Sequence, residues 1–320
     1  MRTHIALLTA LATALLAASP AGATIHNGHC ARIDRLHVPG AQLQVAACLD
    51  ELTTAGTVLS GHTIPADWAG LTSASLPQLS GAPGIQLDGY FPDTSTTNTN
   101  HGWNHDAQFV LRLPDHWNGG LVISGTPGNR RQYANDRAIA DYVLSRGYAF
   151  AATDKGNTGL SFAQDGLRPG DAILEWHTRV TQLALAARAV VAQRYGHTPS
   201  QTLMAGISNG GYLVRWQLER NAWLFDGGVD WEGTLWTADG PNLLTFLPPA
   251  LRAFAAGDHE GMLAAGFAPG SEFLWPFHSQ VYWTLTQTLY QQELDPTYTG
   301  TPAAYDYPTR PAEVHQAVAR

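Results

Sequence analysis

The residues best suited to chemistry lie in Gly206-Ile207-Ser208-Asn209-Gly210-Gly211. An apolar run, Thr202-Leu203-Met204-Ala205, leads in, and a stretch of helical pattern from Tyr212 to Arg220 leads out, so the segment reads as strand, sharp turn, helix. In a Gly-x-Ser-x-Gly turn the serine stands at the apex of a strained bend, and the small residues on either side let strand and helix close together. Ser208 would project its hydroxyl above the end of a sheet, where a carbonyl carbon can reach it. The chemistry is acyl transfer through a serine nucleophile, which needs a general base, an acid to orient that base, and donors for the oxyanion.

The donors can be placed from the sequence. One is the backbone N–H of Asn209, directly after the serine; the other is that of Gly125 or Thr126, in the loop Gly125-Thr126-Pro127-Gly128-Asn129 that follows a predicted strand. The base is harder to place. Acid and histidine should follow the serine, each after a further buried strand. Downstream the chain offers His259, His278 and His315, and Asp230, Asp239, Asp258, Asp295 and Asp306, none in that context. His259, within Gly257-Asp258-His259-Glu260, reads as an exposed loop. No residue pattern calls for a metal or an organic cofactor.

The elements that must hold this constellation follow an alternating rhythm. Leu43 to Cys48 and Thr57 to Leu59 are short, largely apolar runs in a mixed N-terminal extension, read as partly strand. Ile85 to Phe91 and Gln108 to Leu113 are predicted strands. In the second, Phe109, Leu111 and Leu113 fall on one side and Val110 and Arg112 on the other, the pattern of a half-buried strand. Asp93 to Gly102 between them is a polar loop. Leu121-Val122-Ile123-Ser124 and Tyr148 to Thr153 read as buried parallel strands, separated by a helix over Asp136 to Arg146. A long helix is predicted from Asp171 to Tyr195, with Trp176, Val180, Leu183, Ala187 and Val190 on one stripe and Gly196 as its stop. Strands alternating with helices at these lengths imply a parallel sheet covered on both faces. From Pro241 to Gln292 the pattern turns helical and aromatic, as a cap over a site would be.

Composition narrows the class. Met1-Arg2-Thr3-His4, an apolar run from Ile5 to Ala18 and Ala21-Gly22-Ala23 make a secretory signal peptide over residues 1–23, too short in its apolar part for a membrane span. The domain reading is then 24–105 as an N-terminal extension with the first strands, 106–240 as the α/β core with the serine turn, and 241–320 as cap and C-terminal segment. Charged residues are only 14%, with 18 Lys and Arg against 26 Asp and Glu, which argues against nucleic acid as a partner. No later stretch suits a bilayer. Cys30 and Cys48 are the only cysteines, and in an exported chain such a pair is expected as a disulfide.

The run from Gly120 to Gly233 resembles the α/β-hydrolase superfamily, and within it the tannase and feruloyl esterase group and the 3-hydroxybutyrate-oligomer hydrolases. The residues that carry the resemblance are Thr153-Asp154-Lys155-Gly156 at a strand end, His177 early in a helix closing on Tyr195-Gly196, Ser208-Asn209-Gly210-Gly211, and Phe225-Asp226-Gly227. The tannase group usually has a cysteine beside the serine, where Ile207 stands here, a departure that favours the hydroxybutyrate-oligomer group. The resemblance implies an α/β-hydrolase-like, mostly parallel sheet with helices on both faces and a helical, aromatic-rich cap, lacking the last strands with the acid and histidine. It implies a secreted carboxylic-ester hydrolase acting through Ser208 on a small-molecule or oligomeric ester: a hydroxyalkanoate oligomer, a polyester or an aromatic acyl ester. Two alternatives stand beside it: a hydrolase fold that binds without catalysing, and a serine peptidase of the same fold.

Overall fold

The computed structural model describes residues 30–72, 76–92, 102–103, 105–156, 171–234, 250, 252–265, 269–270, 272 and 275–276. The signal-peptide segment, most of the polar loop and much of the expected cap lie outside them. Seven strands form one sheet: β1 (Leu43–Leu49), β2 (Gly84–Phe91), β3 (Ala107–Pro114), β4 (Gly120–Gly125), β5 (Ala149–Thr153), β6 (Gln201–Ile207) and β7 (Gly227–Trp231), in the order β1-β2-β3-β5-β4-β6-β7. β1, β2, β3 and β5 pair antiparallel in succession, whereas β5, β4, β6 and β7 are mutually parallel, so only β1 and β3 run against the rest. From β4 the chain steps to β5 on one side, and the later strands β6 and β7 lie on the other. The crevice beyond the carboxyl ends of β4 and β6 is therefore the switch point at which doubly wound sheets hold their ligands.

The helices up to β7 are α1 (Thr54–Ser60), α2 (Pro65–Trp68), α3 (Asp141–Leu144), α4 (Asp171–Tyr195) and α5 (Asn209–Arg220), and both faces of the sheet are covered. On one face Phe109, Leu111, Ile123 and Ala151 meet Trp176, Val180, Leu183 and Ala187 of α4 (Asp171–Tyr195), together with Leu213 of α5 (Asn209–Arg220). On the other, Val110, Val122, Phe150 and Ala152 pack on Ile139, Ala140 and Leu144. The stripe read from the sequence of α4 is thus the one that packs, and Gly196 ends the helix at φ +87°. The helix expected over 136–146 is shorter and opens on a π-helical turn, Asp136–Ala140, before one α-turn, Asp141–Leu144.

Of the two apolar runs in the extension read as partly strand, Leu43–Cys48 lies in β1, and Thr57–Leu59 lies in a helix, Thr54–Ser60, which Thr53 caps by accepting the N–H of Ala55. One expectation is corrected: β3, read as half-buried, is buried along its whole length. The polar side chains of β3 alternate into the second face and find partners there: Arg112 makes a two-pronged ion pair with Asp136, both contacts at 2.7 Å, and its Nε donates to Gln86 at 2.9 Å. Alternation of polar and apolar residues here records a paired interior. The expected disulfide, Cys30–Cys48, is present with its Cα atoms 5.8 Å apart, tying the first described turn to β1. Ala250, Met262 and Trp275 form a small separate apolar cluster.

Candidate active site

Ser208 follows β6 and precedes α5 with φ 56° and ψ −120°, a left-handed conformation that costs a non-glycine residue about 1–3 kcal/mol. The surroundings over-determine it. Its N–H donates to Trp231 O at 3.0 Å and its carbonyl accepts from Tyr212 at 3.0 Å and Thr234 at 3.2 Å. Thr234 also donates its hydroxyl to Asn209 Oδ1 at 2.6 Å, and Arg215 bonds the carbonyl of Thr234. Segment 231–234 thus wraps the bend from outside. From inside, the two small positions of the motif are occupied by backbone: a Cβ at Gly206 would stand 2.3 Å from the carbonyl of Gly210, and one at Gly210 2.2 Å from the carbonyl oxygen of Gly125. Strand, helix and the β4 loop close on one another only because these residues lack side chains.

Ser208 is half-buried, and among the described residues nothing hydrogen-bonds its hydroxyl. Asn209 is the first residue of α5, so its N–H is one of the donors a helix leaves without an internal acceptor. Gly125 ends β4, and Thr126, fully buried, begins the loop that lies against the first turn of α5. The Thr126 N–H has another acceptor, the carbonyl of Thr153 at 3.3 Å, at the long end for such a bond.

Beneath that loop lies the lysine of the strand-end Asp-Lys pair that carries part of the resemblance. Lys155 follows β5 with φ 71°, which turns its side chain back under the sheet end, and it is fully buried. Its Nζ donates to the carbonyl and to the hydroxyl of Thr126, at 2.7 and 2.8 Å, and stands 5.2 Å from the ring centre of Trp176. Asp154 accepts from the backbone and side-chain amides of Gln108, at 2.9 and 3.1 Å, and from Gly156 at 2.9 Å. Burial pulls the Lys155 ammonium below the usual lysine range, opposed by the Asp154 charge, and pushes the Asp154 carboxyl up. The adjacent Asp-Lys pair was visible in the sequence; the backbone turn that aims the lysine at Thr126 was not.

None of the described histidines and acids hydrogen-bonds the Ser208 hydroxyl. His177 stacks on Trp216 with ring centres 3.9 Å apart and shares a 2.7 Å hydrogen bond with the hydroxyl of Tyr212; burial, then the charge of Arg220, brings its imidazole down to about 4. It packs between α4 and α5. His259 opens a short helix, half-exposed, 3.1 Å from Glu272 and beside Trp275. Asp258 caps the same helix through the N–H of Gly261 at 2.9 Å, and Asp230 pairs with Arg215 at 3.1 Å. His278, His315, Asp239, Asp295 and Asp306 lie outside the described residues.

A mostly parallel seven-stranded sheet with helices on both faces, and a strained serine at a strand-to-helix bend beside the switch point, defines the α/β-hydrolase fold. Within that fold, residues 94–229 match the family model of tannase and feruloyl esterase, a stretch just under half of the 320-residue chain. The core is similar to that family, the first of the two groups its motifs resemble, although Ile207 replaces the cysteine usual beside the serine.

Among solved structures, an esterase from Aspergillus oryzae is 13% identical with a TM-score of 0.48, over 71% of this chain and 40% of its own. The tannin acyl hydrolase of Aspergillus niger is 14% identical, TM-score 0.43, over 66% and 36%. Feruloyl esterase B from Aspergillus oryzae is 12% identical, TM-score 0.49, over 89% and 69%. The chain therefore spans less than half the length of the first two. A sequence search of curated proteins finds no match.

Proposed function

We propose that the protein is a serine carboxylic-ester hydrolase with Ser208 as nucleophile. The observation that carries this reading is the backbone of Ser208, held at φ 56° by bonds with Trp231, Thr234 and Tyr212. A bend kept at such cost presents one hydroxyl in a half-open position, and a merely structural turn would place glycine there. Ser208 Oγ attacks the ester carbonyl as its proton passes to a general base. The oxyanion is stabilised by the N–H of Asn209 and by the 125–126 segment, where the long Thr126–Thr153 bond can yield its donor. The alcohol then leaves, and water releases the acid from the acyl-enzyme.

The family match supports esters of aromatic acids as substrates; hydroxyalkanoate oligomers and polyesters fit the same chemistry. The apolar run that opens the chain and the Cys30–Cys48 bridge support an exported protein. A second reading, binding without turnover, is favoured by one observation: no described histidine hydrogen-bonds the Ser208 hydroxyl. A fluorophosphonate probe followed by peptide mapping separates the two. Stoichiometric phosphonylation at Ser208, abolished by Ser208→Ala, is expected; an unlabelled Ser208, or labelling that persists in the variant, rejects the nucleophile.

A further inference from the structure

Three adjacent strands, β5, β4 and β6, end at one place, and each contributes a residue to a single stack: Lys155, Thr126 and the turn around Ser208. The lower contact is the lysine ammonium on Thr126, by two short bonds. The upper contact is backbone on backbone, with the carbonyl of Gly125 and the carbonyl carbon of Thr126 packed on Gly210, two residues past the serine. Thr126 is held from two further sides, its hydroxyl donating to Arg130 O at 2.8 Å and its N–H to Thr153. Lys155 itself is fixed by its own N–H on Thr153 Oγ1, at 3.1 Å, and by the Asp154 carboxylate bridging to Gly156. Being fully buried, it has no route to a substrate, and a buried ammonium is costly unless it is hydrogen-bonded, which here falls to Thr126.

We propose that Lys155 is a positioning residue for the Ser208 reaction, its ammonium setting the height and orientation of the Thr126 loop against the first turn of α5. The inference rests on the reading of Ser208 as nucleophile. Loss of the clamp frees the loop to shift by a fraction of an ångström to about one ångström, and misplacement of that size costs up to about a hundredfold in rate. Lys155→Met keeps the length of the side chain and removes the donor; because it leaves the buried Asp154 carboxylate without its neighbouring cation, it should also lower the melting temperature.

The test uses the whole chain and two readouts. In phosphonylation by the fluorophosphonate probe, Lys155→Met should lower the maximal inactivation rate about 10- to 100-fold, with the concentration for half-maximal rate changed less than about threefold. In hydrogen exchange without probe, amides of the 125–131 loop should exchange at least about tenfold faster, while those of α4 are unchanged. A wild-type inactivation rate in Lys155→Met, or a slowed rate with an unchanged loop, overturns the proposal. Should Lys155→Met not fold, Thr126→Val carries the same test, since it removes the hydroxyl arm of the clamp together with that hydroxyl's bond to Arg130 and leaves the ammonium on the Thr126 carbonyl, and should give a smaller loss of the same kind. Failure of the underlying reading is distinguishable: it shows as no labelling of Ser208 in the wild-type chain, whereas the exchange data are read without any reaction.

Discussion

Adding one methyl group at Gly210 tests whether the elbow works by close approach of backbone. A Cβ there would lie 2.2 Å from the carbonyl oxygen of Gly125, where ordinary contact begins near 3.4 Å, so β4 and α5 must part by about 1.2 Å. Neither neighbour can yield by rotating a side chain, since both are main chain. Overpacking of this kind costs about 1–3 kcal/mol. The same displacement moves Gly125 and Thr126 away from Ser208, which should slow its reaction by about a hundredfold. The control is Gly227→Ala: there the new Cβ finds only Leu203 Cδ2, at 3.7 Å, an ordinary contact. Gly227→Ala should leave labelling unchanged and stability equal or higher by about 0.4–1 kcal/mol, through the entropy of the unfolded chain. Urea denaturation and the fluorophosphonate labelling rate report both quantities. If Gly210→Ala labels Ser208 at the wild-type rate and unfolds at the wild-type urea midpoint, the elbow does not depend on that approach and the argument from the motif's small residues fails.

Three further outcomes are expected. Ser208→Gly removes a strained left-handed side chain and should raise the unfolding free energy by about 1 kcal/mol in urea; a less stable variant would show that the bend is unstrained. His177, buried neutral, has its imidazole lowered to about 4 against an ordinary 6.5, so its contribution to stability is complete above pH 6.5 and is lost as pH falls through 4. That shift corresponds to about 3 kcal/mol, and the difference between wild-type and His177→Gln unfolding curves should show it as a slope confined to pH 6.5–4. Arg112→Met strands the buried carboxylate of Asp136 and should cost about 3–5 kcal/mol, most of it recovered in Arg112→Met/Asp136→Leu, as melting curves of the two would show.

The parts of this fold that could be read from sequence are those whose periodicity reports burial on two simple faces. α4 is the clearest: Trp176, Val180, Leu183 and Ala187 recur at helical spacing and are the residues that meet the sheet. β4, β5 and β6 were legible for the same reason, as short apolar runs between turn residues. β3 misled because its polar residues are interior: Arg112 is neutralised by Asp136, and Gln108 is engaged by Asp154, partners that come from distant parts of the chain. The run Thr57–Leu59 was not legible because three residues cannot distinguish the two periods; it is helical behind the cap at Thr53. The bend at Ser208 and the turn after β4 were legible because a local motif dictates a local bend. Thr234 and Lys155 had no such signal, since each reaches the site only after a backbone turn of its own.

Those turns point to a common cause. Four described non-glycine residues have positive φ, and three of them, Lys155, Ser208 and Glu232, stand at the carboxyl ends of β5, β6 and β7. Each re-aims the chain toward the same crevice: Lys155 swings its ammonium under Thr126, Ser208 raises its hydroxyl, and Glu232 turns segment 231–234 so that Thr234 bonds back to Ser208 and Asn209. At about 1–3 kcal/mol apiece, three strained residues represent a large part of the few kcal/mol by which a domain outweighs its unfolded state. A sheet selected for stability alone would place glycine at these positions, as it does at Gly147, Gly156 and Gly196. At Lys155 the retained side chain reaches Thr126 and at Ser208 it is the hydroxyl itself, whereas at Glu232 it is the backbone turn that brings Thr234 onto Ser208 and Asn209.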